Sequence, residues 1–356
     1  MTKICYLSDA NSSHTQKWVD YFSDYYDEIH LISMRKSNHK YKSNVKLHII
    51  EPPFKSKFSY FFIINKIRNL IKSINPDLVH SHYATSYGLY GRLCGFHPFI
   101  VSVWGSDVYE FPKSSKLKAK LFNYILDGAD VICSTSNDMA NEIRKYYNKK
   151  DIEITPFGVD TNKFNIHNNI LSNSYITIGV SKHLNKIYGI DILLKSFAML
   201  IKEVNKDIRL LIVGDGPERK PLKTLAHELN IADKITFVGS VENKDVPIYM
   251  NKMDIVALPS LSESFGVAAL EAESCGRPVV CSDVGGLKEV VSDSKTGYIF
   301  KSEDIVDLKN KLKLLVENEA LMHSFSSSGR KFVLDNYDWK DNANHMHNIY
   351  LKLIKK

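Results

Sequence analysis

Short apolar runs alternate along this chain with longer segments in which apolar residues recur at helical spacing. An apolar run of this length, bounded by Gly, Pro, Asn or Asp, predicts a buried strand. The runs form two series, at 3–9, 28–34, 46–51, 77–83, 99–105 and 130–135, and at 175–181, 208–216, 234–240, 254–260, 277–283 and 296–300. Strands that alternate with helices form parallel sheets, so the pattern predicts an α/β protein with two doubly wound, Rossmann-like domains.

A polar segment, NIHNNILSNS at residues 165–174, separates the two series. We therefore predict one domain over residues 1–165 and a second over 166–335, and a chain of 356 residues is long enough for both. Ligands of such sheets bind at the carboxyl ends of the strands, so we expect the site in a cleft between the two sheets.

The composition is that of a globular enzyme, with 44% hydrophobic and 24% charged residues. Its five cysteines are scattered without a CxxC pair, which indicates reduced thiols and argues against a zinc site. The chain begins directly with a predicted strand, and no apolar run approaches the roughly 20 residues of a membrane span. These features predict a cytoplasmic protein.

Positive charge is concentrated in the first half of the chain, where residues 1–165 hold 22 Lys and Arg against 16 Asp and Glu. Two basic clusters, at 55–72 and 113–120, are each compatible with a solvated helix face. In the first cluster, however, Phe58, Phe61 and Phe62 exceed what one core stripe needs. Basic residues mixed with exposed aromatics predict peripheral binding to an anionic membrane, and no nucleic-acid-binding motif accompanies them.

The run ESFGVAALE places two carboxylates, Glu263 and Glu271, around a glycine-marked helix start. It follows an apolar run ending in Pro and Ser, which predicts a strand, a turn and a helix. Gly266 would let a ligand approach the backbone at the helix start, where free N–H groups and the helix dipole favour a phosphate. Glu271, on the helix, would accept hydrogen bonds from ligand hydroxyls. Two solvated glutamates are the alternative.

Two further loops follow strands of the second series. In VGDGPERKPL, Gly214 and Gly216 permit close backbone approach, although a tight turn alone would also explain them. In SKHLNKIYGID, Lys182 and Lys186 are placed where cations would neutralise a diphosphate leaving group, with solvated lysines as the alternative.

Together with CGRPVVCSDVGG at 275–286, the run ESFGVAALE resembles the EX7E signature of retaining GT-B glycosyltransferases of the "group 1" family. The resemblance implies that Glu263 contacts the donor sugar, that Glu271 holds the ribose of a nucleoside diphosphate, and that residues 336–356 return as a helix to the first domain. Ser264, Phe265, Gly266, Gly214 and Gly216 then belong to the donor site. UDP is expected in preference to GDP.

The first domain is expected to bind the acceptor, with candidate residues Ser12, Ser13, His14, His82 and Trp104. Helix capping would also explain the two serines. Many members of that family carry His before Gly-Ser-Asp where this chain has Trp104. They carry an Arg where this chain has Lys182, and the two cations are not equivalent at a bidentate phosphate contact. Asp107 is a candidate catalytic or acceptor-binding carboxylate, with a turn cap as the alternative.

The resemblance, together with these residues, implies a retaining transferase that moves a sugar from a nucleoside diphosphate to a hydroxyl of a saccharide or lipid-linked saccharide, as in surface polysaccharide synthesis. No metal or other cofactor is expected, because lysines and a helix start supply positive charge at the diphosphate. The alternatives are an epimerase or hydrolase acting on nucleotide sugars, and a non-catalytic subunit that binds them.

Overall fold

The computed structural model describes residues 1–54 and 62–355. The chain divides into two compact units. The first unit contains Met1–Phe157 together with Asp341–Lys356, and the second contains Gly158–Lys340.

The first unit is built on a sheet that has seven strands within the described residues. The strands are β1 Lys3–Leu7, β2 Glu28–Ser33, β3 Val45–Ile49, β4 Leu78–His82, β5 Phe99–Val103, β6 Val131–Ser134 and β7 Ile152–Ile154. All neighbours are parallel, in the order β3-β2-β1-β4-β5-β6-β7. The sequence pattern predicted six of these strands and missed β7, a three-residue strand at the sheet edge.

Helices cover this sheet and contribute apolar faces to its core. They are α1 Ser13–Phe22, α2 Ile64–Ile74, α3 Ser86–Cys94, α4 Ser106–Tyr109, α5 Lys116–Asp127 and α6 Asn137–Arg144. In α2, the isoleucines at 67, 71 and 74 recur at helical spacing and are buried, as the pattern predicts. The C-terminal helix also belongs largely to this unit, where the Tyr350 hydroxyl lies 3.0 Å from the Tyr6 hydroxyl and 2.5 Å from His80 Nδ1.

The second unit has a six-stranded parallel sheet in its described residues, in the order β10-β9-β8-β11-β12-β13. Its strands are β8 Ile176–Ser181, β9 Ile208–Val213, β10 Ile235–Gly239, β11 Ile255–Leu258, β12 Val279–Ser282 and β13 Gly297–Phe300. Its helices are α7 Ile190–Leu200, α8 Arg219–Glu228, α9 Val246–Met250, α10 Val267–Ser274, α11 Leu287–Val290, α12 Ile305–Glu317 and α13 Glu319–Asn336, and α14 Trp339–Ile354 begins at its end. Each strand of this sheet coincides with a predicted apolar run.

The units divide at residue 157, earlier than the boundary predicted at 165. Side chains of the second unit hold the intervening segment: Arg330 donates to the carbonyls of Thr161 and Phe164, and Ser274 Oγ also donates to the Phe164 carbonyl. The polar composition predicted residues 165–174 as the linker between the domains. The hydrogen bonds show that residues 158–164, which precede it, already belong to the second unit.

Both units are Rossmann-like parallel sheets covered by helices, which confirms the predicted α/β fold class. Within the described part of the chain, no helix combines the length and apolar character needed to cross a bilayer.

Candidate functional site

Glu263 lies in the loop between β11 and α10, at the carboxyl end of its strand. Helix α10 begins after Gly266, whose φ of 106° suits glycine. A Cβ at this position would lie 2.9 Å from side-chain carbons of Leu287 and Val290. Gly266 therefore allows α11 to pack against the helix start.

The loop that carries Glu263 packs against the backbone of Gly285 and Gly286. A Cβ on Gly285 would lie 1.8 Å from the Glu263 carbonyl oxygen, and one on Gly286 would lie 2.6 Å from the Cα of Phe265. These glycines thus allow two backbone segments to touch and hold Glu263 in place. The sequence interpretation used this Gly-Gly pair only as part of the family resemblance and missed its packing role.

Lys182, in the loop after β8, reaches Glu263. Its Nζ donates to Glu263 Oε2 over 2.5 Å, and the two side chains are only 14% and 12% exposed. Nζ also lies 4.8 Å from the centre of the Tyr188 ring, a cation–π contact that sequence reasoning did not find. Burial by itself lowers the pKa of Lys182, but the Glu263 carboxylate more than compensates, so the pKa is raised and the ammonium stays charged.

The glycines of the VGDG turn allow this lysine loop to approach. A Cβ on Gly214 would lie 1.9 Å from the Lys182 carbonyl oxygen, and one on Gly216 would lie 2.3 Å from that of Leu184. Backbone hydrogen bonds from Lys182 N to Val213 O (3.0 Å) and from Leu184 N to Asp215 O (2.9 Å) join the two loops. The close approach predicted at Gly214 and Gly216 is thus filled by the protein's own backbone.

Glu271 is partly buried on α10, and its charge contributes to the raised pKa of Lys182, so both groups act on one region.

Lys186 is exposed in a short turn, and no ion pair joins it to another described residue. Ser264 is partly buried. Phe265 is 2% exposed and packs edge-on to Tyr337 at 5.9 Å, so its side chain belongs to the core of the unit, and its place in the donor site stays a prediction.

The second unit therefore brings together a buried ammonium, two carboxylates and a helix start at the carboxyl ends of its strands. Such groups bind a phosphate through charge and N–H donors, and bind hydroxyls through carboxylate oxygens. Among the residues that the structure describes, no cluster of three His, Cys, Asp or Glu side chains is arranged to hold a metal ion.

Four aromatic side chains meet in the first unit, at the carboxyl ends of its strands. The His14 ring stacks on Phe157 at 4.1 Å and meets Trp104 edge-on at 5.8 Å, and Trp104 lies 4.3 Å from the His82 ring. Trp104 is 6% exposed and His82 is 1% exposed. Of the residues predicted to bind an acceptor, these two form the buried wall of the cluster and His14 is partly exposed.

The two histidines are neutral at physiological pH. Burial, with the nearby Lys17 charge, lowers the pKa of His14 to about 4, and burial lowers the pKa of His82 well below its ordinary value. His82 Nδ1 lies 2.9 Å from Ser8 Oγ, which in turn lies 2.7 Å from Thr15 Oγ1. The described residues show no hydrogen bond to either His14 nitrogen, so a ligand hydroxyl would find both available.

Asp107 is fully buried and accepts hydrogen bonds from three backbone N–H groups. Ala84 N donates over 2.8 Å, Gly105 N over 2.8 Å and Trp104 N over 3.2 Å. Burial raises the pKa of this carboxyl, and the three N–H groups oppose the rise. These contacts tie two strand-end loops together, so the geometry favours the structural role of Asp107 over the predicted catalytic one.

Ser12 and Ser13 lie at the start of α1. Ser12 occupies the N-cap position but its side chain makes no capping hydrogen bond, and Ser13 is exposed as the first helical residue. Helix capping therefore does not explain the Ser12 hydroxyl. Its role in binding an acceptor stays a prediction.

Two Rossmann-like units with polar sites at strand carboxyl ends define an α/β protein of the GT-B class. Residues 162–332 match the family profile described as glycosyl transferases group 1, and residues 3–136 match that of glycosyl transferase 4-like proteins. Both units therefore match glycosyltransferase families, and the chain belongs to the glycosyltransferases.

Relatives match most of its length. An uncharacterized glycosyltransferase of Methanocaldococcus jannaschii is 29% identical, and N-acetyl-alpha-D-glucosaminyl L-malate synthase of Bacillus anthracis is 26% identical. Each alignment covers 92% of this chain and 90% of the relative. The structure of Anabaena HepE in complex with UDP has a TM-score of 0.84 at 16% identity and covers 99% of this chain and 100% of that one. HepE has also been solved with UDP-glucose.

Proposed function

We propose that this glycosyltransferase moves a sugar from a nucleoside diphosphate, UDP in preference to GDP, to a hydroxyl of a saccharide or lipid-linked saccharide, with retention at the anomeric carbon. The observation that carries the proposal is the Lys182–Glu263 pair beside Glu271 and the start of α10. A nucleotide sugar offers matching chemistry, with an anionic diphosphate between two sets of hydroxyls. The UDP complexes of HepE support the choice of base.

Each group then has a distinct task. Lys182 and the N–H groups at the start of α10 stabilise negative charge on the departing diphosphate, with Lys186 as a second, exposed cation. Glu263 accepts hydrogen bonds from hydroxyls of the transferred sugar, and Glu271 accepts them from the ribose. Glu263 already has one oxygen on Lys182, so it orients the lysine as well as the sugar.

The proton of the acceptor hydroxyl needs a destination. Trp104 carries no acid or base, and Asp107 is occupied by backbone N–H groups. We propose that the bond from the anomeric carbon to the β-phosphate oxygen breaks as the acceptor oxygen attacks the same face, and that this phosphate oxygen takes the proton. Attack on the face that the leaving group vacates gives retention. Trp104 and the stacked rings beside it present a wall for a sugar ring of the acceptor.

Peripheral membrane binding remains a proposal for lipid-linked acceptors. Lys55, Lys57, Phe58 and Phe61, on which the prediction mainly rested, lie outside the described residues. Phe62 is described, is 65% exposed, and meets the exposed Phe54 at 5.8 Å.

The second basic cluster supports the same proposal from described residues. Leu117 on α5 is 77% exposed, and Lys116 and Lys120 of the same helix are exposed as well. Lys113, just before the helix, is also exposed and pairs with Glu142. An exposed leucine flanked by lysines fits an anionic bilayer, where each Lys contributes about 1 kcal/mol.

The proposal is tested by product analysis with a panel of UDP- and GDP-sugars and saccharide acceptors. Glycosyl transfer that is lost in Glu263→Gln supports it. Release of free sugar at the same rate with and without acceptor would indicate a hydrolase, and nucleotide binding without turnover would indicate a binding subunit.

A further inference from the structure

A polar cavity lies in the second unit, away from the start of α10. It has a volume of about 510 Å³, and its polar lining residues include Asn168, Ser172, Arg277, His323 and Ser326. This volume falls in the usual range for small-molecule sites. None of the described residues that line it is an Asp or a Glu.

Arg277 gives this cavity its charge. Its side chain is 1% exposed, and no carboxylate in the described part of the chain forms an ion pair with it. Nη2 donates to the Asn168 carbonyl and to Asn251 Oδ1, the latter over 3.1 Å, whereas the buried N–H at Nε finds no hydrogen-bond partner among residues 1–54 and 62–355. A buried cation with an unmade hydrogen bond is costly unless a ligand completes its contacts.

A carboxylate that acts on the pKa of Arg277, that of Asp254, does not complete these contacts. Asp254 attracts Arg277, but its Oδ1 accepts the Leu171 N–H over 2.6 Å and its Oδ2 accepts the Thr177 N–H over 2.7 Å. Asp254 therefore satisfies the backbone of residues that adjoin the cavity. The guanidinium thus belongs to the lining of a cavity that also presents side-chain amides, hydroxyls and an imidazole.

We infer that this cavity is a binding site for a phosphate monoester, held by Arg277 with His323 and Ser326. An oxyanion matches the positive charge of the arginine and the surrounding donors, and the cavity is large enough for the organic part of the ester. The site lies at the opposite end of α10 from Gly266, about 12 Å along a helix of eight residues. It is therefore distinct from the proposed donor site and does not depend on that proposal.

Calorimetry tests the inference with inorganic phosphate and glycerol 3-phosphate, at constant ionic strength, on protein already saturated with UDP. We expect one site per chain and tighter binding of the monoester. Arg277→Met removes a charge-assisted hydrogen bond and should weaken binding by about tenfold or more. Arg209→Met is the matched control, because Arg209 pairs with Asp207 in the same unit and is half-exposed, and it should leave the affinity unchanged.

Arg277 also holds the backbone at Asn168, so its loss could unfold the protein. The double variant His323→Ala/Ser326→Ala avoids this problem, because both residues lie on α13 and neither contributes a hydrogen bond to that segment. It should weaken the monoester several-fold while UDP affinity stays unchanged. If UDP does not bind, the proposed donor site has failed and is open to the test anions. The titration is then repeated in Lys182→Ala, so that any remaining phosphate binding belongs to the Arg277 cavity.

Absence of heat for both anions in the wild-type protein would overturn the inference and leave Arg277 as a clamp on residues 165–172. Equal affinities in wild type and in the double variant would overturn it as well. Equal binding of phosphate and monoester would contradict the assignment of an ester and indicate a simple oxyanion site.

Discussion

Neutralising Glu263 should strengthen nucleotide binding even as it removes activity. In Glu263→Gln, Lys182 loses the carboxylate that lies 2.5 Å from its Nζ, so its charge becomes fully available to a diphosphate. The loop should keep its place, because the backbone hydrogen bonds of Lys182 and Leu184 do not involve Glu263.

Coulomb's law gives the magnitude for a phosphate bound beside Lys182. A carboxylate about 5 Å from a phosphate repels it by ~3 kcal/mol at an effective dielectric constant of about 20. Salt screening and the glutamine dipole reduce this to about 1 kcal/mol, which corresponds to roughly fivefold tighter UDP binding. Lys182→Met should act in the opposite direction, because loss of a charge-assisted hydrogen bond costs about 1.5–3 kcal/mol.

Calorimetry with UDP measures both effects. Glu203→Gln is the matched control, since Glu203 pairs with Lys309 at 2.8 Å elsewhere in the same unit, and its UDP affinity should equal that of the wild type. A tenfold loss of affinity in Glu263→Gln would refute the reasoning and make Glu263 a direct nucleotide ligand. Unchanged affinity in Lys182→Met would show that the lysine does not face the phosphate.

Four further predictions can be checked separately. Glu271→Ala should weaken UDP binding by ~10- to 100-fold in calorimetry, because the ribose loses a charged acceptor, and an unchanged affinity in a folded variant would contradict that role. Lys186→Ala should lower turnover by roughly 10²–10³ in a transfer assay, and full activity would show that this exposed lysine stays in solvent. The free energy of unfolding, measured in urea, should fall as pH drops from about 6.5 toward 4, because the unfolded chain binds a proton at His14 that the folded chain does not. The fall should reach up to ~1.4 kcal/mol per pH unit. His14→Phe should reduce that slope, and an identical slope in the variant would assign the titration to another group. Leu117→Glu should reduce co-sedimentation with anionic liposomes at low salt whereas Leu314→Glu, an exposed leucine of the second unit, should not, and equal binding to neutral liposomes would remove the membrane proposal.

The sequence pattern predicted the sheets well because buried parallel strands are short apolar runs. It missed Ile152–Ile154, since three residues at a sheet edge carry too weak a signal. The compact units divide after residue 157, and not at the predicted 165, because Arg330 and Ser274 hold the backbone at Phe164, which composition does not reveal.

At the candidate site, residue types, spacing and the family resemblance together selected Glu263, Glu271 and Lys182, and their roles stay predictions. Pairing between distant residues was not predictable, so the Lys182–Glu263 contact and the Tyr188 ring beside it emerged only from the fold. Phe265 was assigned to the donor site through the family resemblance, and burial of its side chain in the core was not predicted.

Analysis of the transfer product by NMR tests the central claim most directly. The wild-type protein is incubated with an α-linked UDP-sugar and an acceptor, and the anomeric configuration of the new glycoside is read from its coupling constant, with Glu263→Gln as the control. We expect an α-glycoside from the wild type and none above background from the variant. A β-glycoside, or free sugar as the sole product, would contradict it.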